Sequence, residues 1–294
     1  MTRRQKPWLG TLALLLTAAI WGSAFVAQRT GMEYIGPYTF NAVRCCLGSA
    51  AVGLVSLFLP RWEGAERRST LIGGLCCGLC LFVATNLQQL GLVETEAGKA
   101  GFISTFYIIL VPVAGIFLGK RCGWITWLAV ALALVGLYFL CMSADSFRLR
   151  QGDLLVLLSA VCYTVHILLV DRFVDKADGV RMSCIQFAVV GLLSFVPAFL
   201  LEEPRLENIF RGYVPILYTG LMSCGLAYTL QIVGQRHLRP AVASLIMCME
   251  SVFAVLSGWL ILHEHLSRRE LLGCALVFAA VLLVQLWPQR EKEQ

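Results

Sequence analysis

Ten runs of predominantly apolar residues occupy nearly the whole chain, and they restrict its fold more than any motif it carries. They span residues 8–28, 38–59, 69–92, 98–118, 123–142, 153–171, 181–201, 212–234, 240–262 and 268–287. A helix needs about 20 such residues to cross roughly 30 Å of hydrocarbon. The longest connections, Pro60–Ser69 and Leu201–Gly212, are about ten residues, so no soluble catalytic or nucleic-acid-binding module fits between the runs. The chain is 58% hydrophobic and 14% charged, where a soluble domain is nearer half and a quarter. The alternation that marks a membrane β-barrel is absent. The expected fold is an all-α integral membrane protein with ten transmembrane helices.

The pattern also runs twice. At a fixed offset of 143, Ala84 falls on Ala227, Leu87 on Leu230, Gln88 on Gln231, Gly91 on Gly234, Ala100 on Ala243, Ile103 on Ile246 and Gly115 on Gly258. Apolar segments match one another easily, so the parity carries more weight than the identities. Five spans per copy return the second copy through the bilayer in the opposite sense. The expectation is two inverted five-helix repeats, residues 1–143 and 152–290, with a site between them near the midplane.

With the N-terminus inside, the 24 Lys and Arg divide into 15 in inside segments, 8 in outside segments and Arg44 within a span. Positive residues favour the cytoplasmic side, so both termini are expected there, in a multi-pass plasma-membrane protein. The net charge of +6 then reflects flanks that meet anionic lipid headgroups rather than nucleic acid. Residues 8–28 are long for a signal peptide and are read as a retained first span. Most of the 12 cysteines lie inside spans, as small apolar residues. Cys77-x-x-Cys80 lacks a second pair at metal-site spacing. His263-Glu264-His265 lacks the spacing that sets two imidazoles on one helix face and reads as a polar helix end. No cofactor and no metal are expected.

A charge in hydrocarbon costs roughly 2.5–3.5 kcal/mol on insertion scales, so each buried one needs a reason. Glu250 lies ten residues after Pro240, about 15 Å along the axis and near the midplane. It is the candidate for proton coupling or for holding a cationic substrate group. Arg44 lies about 9 Å below the outer edge, either structural and snorkelling outward or anion-binding. His166 lies about 7 Å from the cytoplasmic end, a proton relay or a residue bonded to its neighbour. Neutral polar groups recur at helical spacing: Thr17, Trp21 and Gln28; Ser159, Tyr163 and His166; Phe82, Asn86 and Gln89; Tyr228, Gln231 and Gln235. Such faces avoid lipid. They are interhelical bonds or the lining of a cavity. The candidate substrate-binding set is Trp21, Asn86, Gln89, Tyr107, Tyr163, His166, Tyr228, Gln231, Met247 and Glu250. Pro112, inside the fourth run, permits a bend there.

These features together resemble the EamA-like group of the drug/metabolite transporter superfamily, over nearly the whole chain. The matching stretches are Ala19-Ile-Trp-Gly-Ser-Ala-Phe25, Asn41 to Arg44, Glu96-Ala-Gly-Lys-Ala-Gly101 leading to Val111-Pro112, and Met249-Glu250-Ser-Val-Phe253 leading to His263-Glu264. The resemblance implies alternating access by rocking of two halves. It implies a cavity lined mainly by the first, third, fourth, sixth, eighth and ninth spans, and export of amino acids or similar small metabolites. Two departures stand out. The family's Glu-Pro pair reads Glu250-Ser251, which puts the bend there in doubt, and the acidic end of the first copy reads Gly119-Lys-Arg121. The expected function is a secondary-type carrier for a small polar or amphipathic solute, proton-coupled through Glu250, as a monomer or homodimer. The alternatives are an intramembrane enzyme or a lipid scramblase. The enzyme needs converging acid, base or metal groups. Glu250, His166 and Arg44 are single residues on different spans, expected at different depths.

Overall fold

The computed structural model describes residues 7–95, 97–119, 122–141, 150–262 and 267–287. His263-Glu264-His265, Lys120, Arg121, the link between the two copies and both chain ends lie outside the described residues.

The ten expected spans are all present as helices. Those in one piece are the first (Pro7–Gly31), second (Pro37–Phe58), third (Arg67–Glu94), fifth (Trp124–Cys141), sixth (Gln151–Phe173), seventh (Gly179–Leu201) and tenth (Arg268–Leu286). Nine of the ten are long and apolar enough to cross a membrane, and the fifth is a shorter apolar helix. No strand occurs among the described residues. The start signals are chemical. Pro37 and Pro240 open their helices, where a missing N–H costs nothing. Ser267 and Glu270 form a reciprocal capping box.

The outer surface is apolar. Leu57, Phe58, Phe117 and Leu200 are each more than 75% exposed, as are other large hydrophobics along most spans to a lesser degree. A soluble monomer rarely exposes such a continuous belt; in a bilayer it faces lipid. The polar residues run the other way. Asn86, Gln231 and Glu250 are all buried within the protein. This is a multi-pass membrane protein.

Its spans pack in a definite set of pairs. The second lies against the seventh and eighth, the third against the sixth and seventh, the first against the eighth and ninth, the sixth against the third and fourth, and the fifth against the tenth. The second and seventh run antiparallel and are tied at both ends. Glu202, past the end of the seventh, accepts from Tyr38 N (2.9 Å), Thr39 N (2.8 Å) and Thr39 Oγ1 (2.6 Å) at the start of the second. Arg181, at the start of the seventh, donates to the carbonyls of Ser56 (3.0 Å) and Leu59 (3.2 Å) at the end of the second. Three crossings need glycine on both sides, among them Gly136 with Gly273, where a Cβ on either would meet the other's carbonyl oxygen at 2.9 and 2.7 Å. A Cβ on Gly91 would meet the Gly152 carbonyl oxygen at 2.8 Å, and one on Gly152 would meet that of Gly91 at 2.8 Å. Gly10 and Gly234 stand in the same relation, at 3.0 and 3.1 Å. Small residues let membrane helices approach this closely.

Three spans depart from continuous α-helix. The fourth is two helices, Ala97–Ser104 and Tyr107–Phe117, broken at Thr105 and Phe106. The expected bend at Pro112 is not where the helix breaks, since Pro112 lies inside the second piece. Thr105 Oγ1 instead donates back to the carbonyls of Gly101 (3.0 Å) and Phe102 (2.9 Å), and Ile108 N reaches only to the Thr105 carbonyl, one residue tighter than α. Such side-chain competition for backbone carbonyls bends helices. The ninth span breaks too, into Pro240–Met247 and Met249–Leu262 about Cys248, with no proline at the break. The eighth starts as Tyr213–Leu217, widens to π-helical winding over Tyr218–Ala227, and returns to α at Tyr228–His237. There the second span presses close. A Cβ on Gly48 would lie 2.7 Å from both the Cys224 Cβ and the Gly220 carbonyl.

Candidate functional site

The breaks and the wide turn meet around one central cavity. It encloses about 660 Å³ of empty space including its open mouth. The first span contributes Trp21, Phe25 and Gln28; the second Arg44; the third Thr85 and Gln88; the fourth Ser104 and Tyr107. The sixth contributes Tyr163, His166 and Ile167; the seventh Phe187; the eighth Ser223, Cys224, Tyr228 and Gln231; the ninth Met247 and Glu250. The six spans expected from the resemblance all take part, and the second and seventh join them.

Of the ten sequence-derived candidates, Trp21, Tyr107, Tyr163, His166, Tyr228, Gln231, Met247 and Glu250 line this cavity, and so does Arg44. Asn86 and Gln89 do not. Asn86 points between helices, where its Nδ2 donates to Ser194 Oγ (3.0 Å) and the Phe82 carbonyl (2.7 Å). Gln89 is fully buried elsewhere. The lining face of the third span is that of Thr85 and Gln88, one residue and so about 100° from the face expected. The signal for it was in the repeat, because at the offset of 143 Gln88 falls on Gln231, Thr85 on Tyr228 and Ser104 on Met247. Phe187, Ser223 and Cys224 carry no comparable signal.

Two hydrogen-bonded chains hold the walls. Tyr163 Oη donates to Gln88 Oε1 (2.9 Å), and Gln88 Nε2 donates to Ser104 Oγ (3.1 Å), which joins the sixth, third and fourth spans. Arg44 Nε donates to Asn41 Oδ1 (2.9 Å). Asn41 Nδ2 in turn donates to Asn86 Oδ1 (3.1 Å) and the Thr85 carbonyl (3.2 Å). That chain joins the second, third and seventh spans through Ser194. Arg44 therefore does not snorkel outward. It is 4% exposed, with its guanidinium 5.3 Å from the Phe40 ring centroid. His166 Nε2 is bonded to Gln186 Oε1 (3.2 Å) and stands edge-on to the Tyr228 ring, centroids 6.0 Å apart. Trp21 and Phe187 pack on the same tyrosine at 4.6 and 5.0 Å. Glu250 occupies the first turn of the half-helix Met249–Leu262, where the helix dipole favours negative charge. The Tyr107 side chain lies beside it. Glu250, His166 and Arg44, expected from the sequence at different depths, thus line one cavity.

Several lining groups have unmet bonding capacity. Trp21 Nε1, Gln28 Oε1 and Gln231 Oε1 have no hydrogen-bond partner among the described residues. Buried polar groups are nearly always paired, so three open ones around one space mark a place where a polar solute can bond. The described cysteines are free thiols, and the described residues hold no group of three metal-ligating side chains.

A polytopic helical membrane protein with broken spans and a polar, aromatic-lined central cavity has the build of a membrane carrier for a small molecule. Comparison with known proteins agrees. The model of the EamA-like transporter family matches residues 8–142 and again 150–286. The chain belongs to that family. An uncharacterized transporter of Archaeoglobus fulgidus is 27% identical, over 94% of this chain and 85% of its own. A protein of Streptantibioticus cattleyicolor named "Probable terminal-alkyne amino-acid exporter" is 26% identical, over 92% of each chain. An uncharacterized inner membrane transporter of Escherichia coli is 24% identical, over 97% of this chain and 92% of its own. A crystal structure that shares 16% identity superposes with a TM-score of 0.81, over 97% of this chain and 99% of the other, and bears on the fold alone.

Proposed function

We propose that the chain is a secondary exporter of a small amphipathic metabolite, working by alternating access between two inverted halves, residues 1–143 and 152–290. The observation that carries this reading is how the cavity is built. Trp21 and Tyr163 lie 142 residues apart; Thr85 and Tyr228, Gln88 and Gln231, Ser104 and Met247, and Tyr107 and Glu250 all lie 143 apart. Both members of each pair line the cavity, as expected where mirrored units meet. The breaks at Thr105 and Cys248 obey the same offset. So do the packing pairs: first with eighth answers sixth with third, and second with eighth answers seventh with third. The glycine crossings Gly10–Gly234 and Gly152–Gly91 exchange in the same way.

Rocking of such halves about a fixed site exposes it to each face in turn. The basic residues favour cytoplasmic termini in the plasma membrane. Glu250 is the proton-coupling group: a single carboxylate at depth, without an ion-pair partner among the described residues, takes up a proton when the solute leaves. The named exporter among the relatives supports an amino-acid-like solute. Counterflow of radiolabelled solutes in proteoliposomes tests the carrier reading, because neither an enzyme nor a scramblase supports it. Glu250→Gln tests the coupling: the pH dependence of uptake should flatten, and an unchanged profile removes Glu250 from that role.

A further inference from the structure

The cavity holds one basic and one acidic side chain that are not paired with each other. Arg44 and Glu250 are 4% and 5% exposed, both line the space, and no ion pair joins either to a described residue. Each is fixed from its own side. Arg44 is tethered through Nε to Asn41 and lines the cavity with Tyr163, Tyr228 and Cys224. Glu250 is set at the start of a half-helix beside Tyr107. Tyr163 lines the same space, and its hydroxyl donates to Gln88.

A buried charge left uncompensated is costly, and the empty carboxyl avoids that cost by holding a proton. A guanidinium and a carboxyl facing one space are both matched by a solute that carries the two signs in reverse order, its ammonium taking the place of that proton. A solute with one charge matches one wall and leaves the other. We propose that Arg44 and Glu250 form a two-point zwitterion site, with a substrate carboxylate on the Arg44 guanidinium and a substrate ammonium on the Glu250 carboxylate. Trp21, Phe187 and Tyr228 receive its apolar body. The site selects solutes with ammonium and carboxylate on one short frame, and rejects the matching amine and the matching acid. This assignment rests on the carrier reading and adds the chemistry of its substrate.

The test uses purified full-length protein in detergent and matched trios: phenylalanine with 2-phenylethylamine and 3-phenylpropionate, and leucine with isoamylamine and 4-methylpentanoate. Binding is measured by calorimetry, after a screen of the twenty common α-amino acids that picks the trios to compare. The expected result is at least tenfold weaker binding of the amine and of the acid than of their zwitterion. Arg44→Gln should erase the preference over the amine while keeping that over the acid, and Glu250→Gln should do the reverse. Arg44→Lys, which keeps the charge, should keep the preference over the amine. A merely structural role of either residue weakens all three members of a trio alike. The proposal is overturned if no zwitterion binds, if an amine or acid binds wild-type protein as well as its zwitterion does, or if the variants lose affinity without changing selectivity. Counterflow of any other solute in the same preparation would then leave the carrier reading standing while this site falls.

Discussion

Asn41 ties the second span to the third and anchors the buried arginine, so its removal should be among the most damaging single changes in the protein. Asn41→Ala deletes three hydrogen bonds: one accepted from Arg44 Nε at 2.9 Å, and two donated to Asn86 Oδ1 at 3.1 Å and the Thr85 carbonyl at 3.2 Å. Interhelical bonds in membranes average about 0.6 kcal/mol, so the two that cross to the third span sum to about 1 kcal/mol. The guanidinium loses its partner within the second span, which adds about 1–3 kcal/mol. The expected loss is about 2–4 kcal/mol. Ser194→Ala, at the far end of the same chain, removes one bond to Asn86 and should cost only about 0.6 kcal/mol. Equilibrium unfolding in mixed dodecyl maltoside and SDS micelles measures both. If Asn41→Ala loses no more than Ser194→Ala does, then the arginine is not held by this asparagine and the account of the second span is wrong.

Other outcomes follow from single features. Gly91→Leu and Gly152→Leu each place a side chain where a Cβ alone meets a carbonyl oxygen at 2.8 Å, so both should abolish a monodisperse folded peak on size exclusion, and an unshifted profile would contradict the third–sixth crossing. Tyr163→Phe removes the donor to Gln88 and should lower Tm by a few degrees, as expected for loss of one bond; no shift would mean the chain to Ser104 holds nothing. Asp178 lies outside the membrane, before the seventh span. Burial raises its carboxyl, but hydrogen bonds from the Arg181 and Trp62 amides and the Arg181 guanidinium outweigh that and hold it below its usual value. A lowered folded value gives stability that is present above the unfolded carboxylate pKa of about 3.9 and lost as pH falls through the folded one. Asp178→Asn should therefore be less stable than wild type at pH 7, and the gap should close below about pH 4. A gap unchanged across that range would deny the carboxylate this role.

The ten spans were legible because a helix must stay apolar for about 20 residues to cross a bilayer, and little else imitates that length. Most of the cavity was legible for a related reason, since lipid excludes unpaired polar groups and Glu250, Tyr228 and Gln231 had nowhere else to point. The inward direction of the third span was not. Asn86, Gln88 and Gln89 are near neighbours on a helix that is apolar nearly all round, so polarity alone could not choose among faces one residue apart. The break at Thr105 was hidden because a threonine bonded to its own helix looks in sequence like any other, while Pro112 offered a more conspicuous cue elsewhere in the span. The π-helical winding of the eighth span lies where Gly48 closely approaches Gly220 and Cys224, a tertiary contact with no local signature. The neighbourhood of Arg44 and Glu250 has the same origin, since it needs the second and ninth spans to face one space.

The central claim is that two five-span units of opposite orientation enclose the cavity. An odd number of crossings per unit puts the link between them on the face opposite both chain ends. Membrane-impermeant maleimide labelling of intact cells tests this directly, with single cysteines introduced at Arg150, at Lys176 and at the chain ends and read as labelling gained over the parent protein. The account predicts labelling at position 150 from outside, and at position 176 and both ends only after the membrane is opened. Labelling of position 150 and the chain ends from the same side would contradict it.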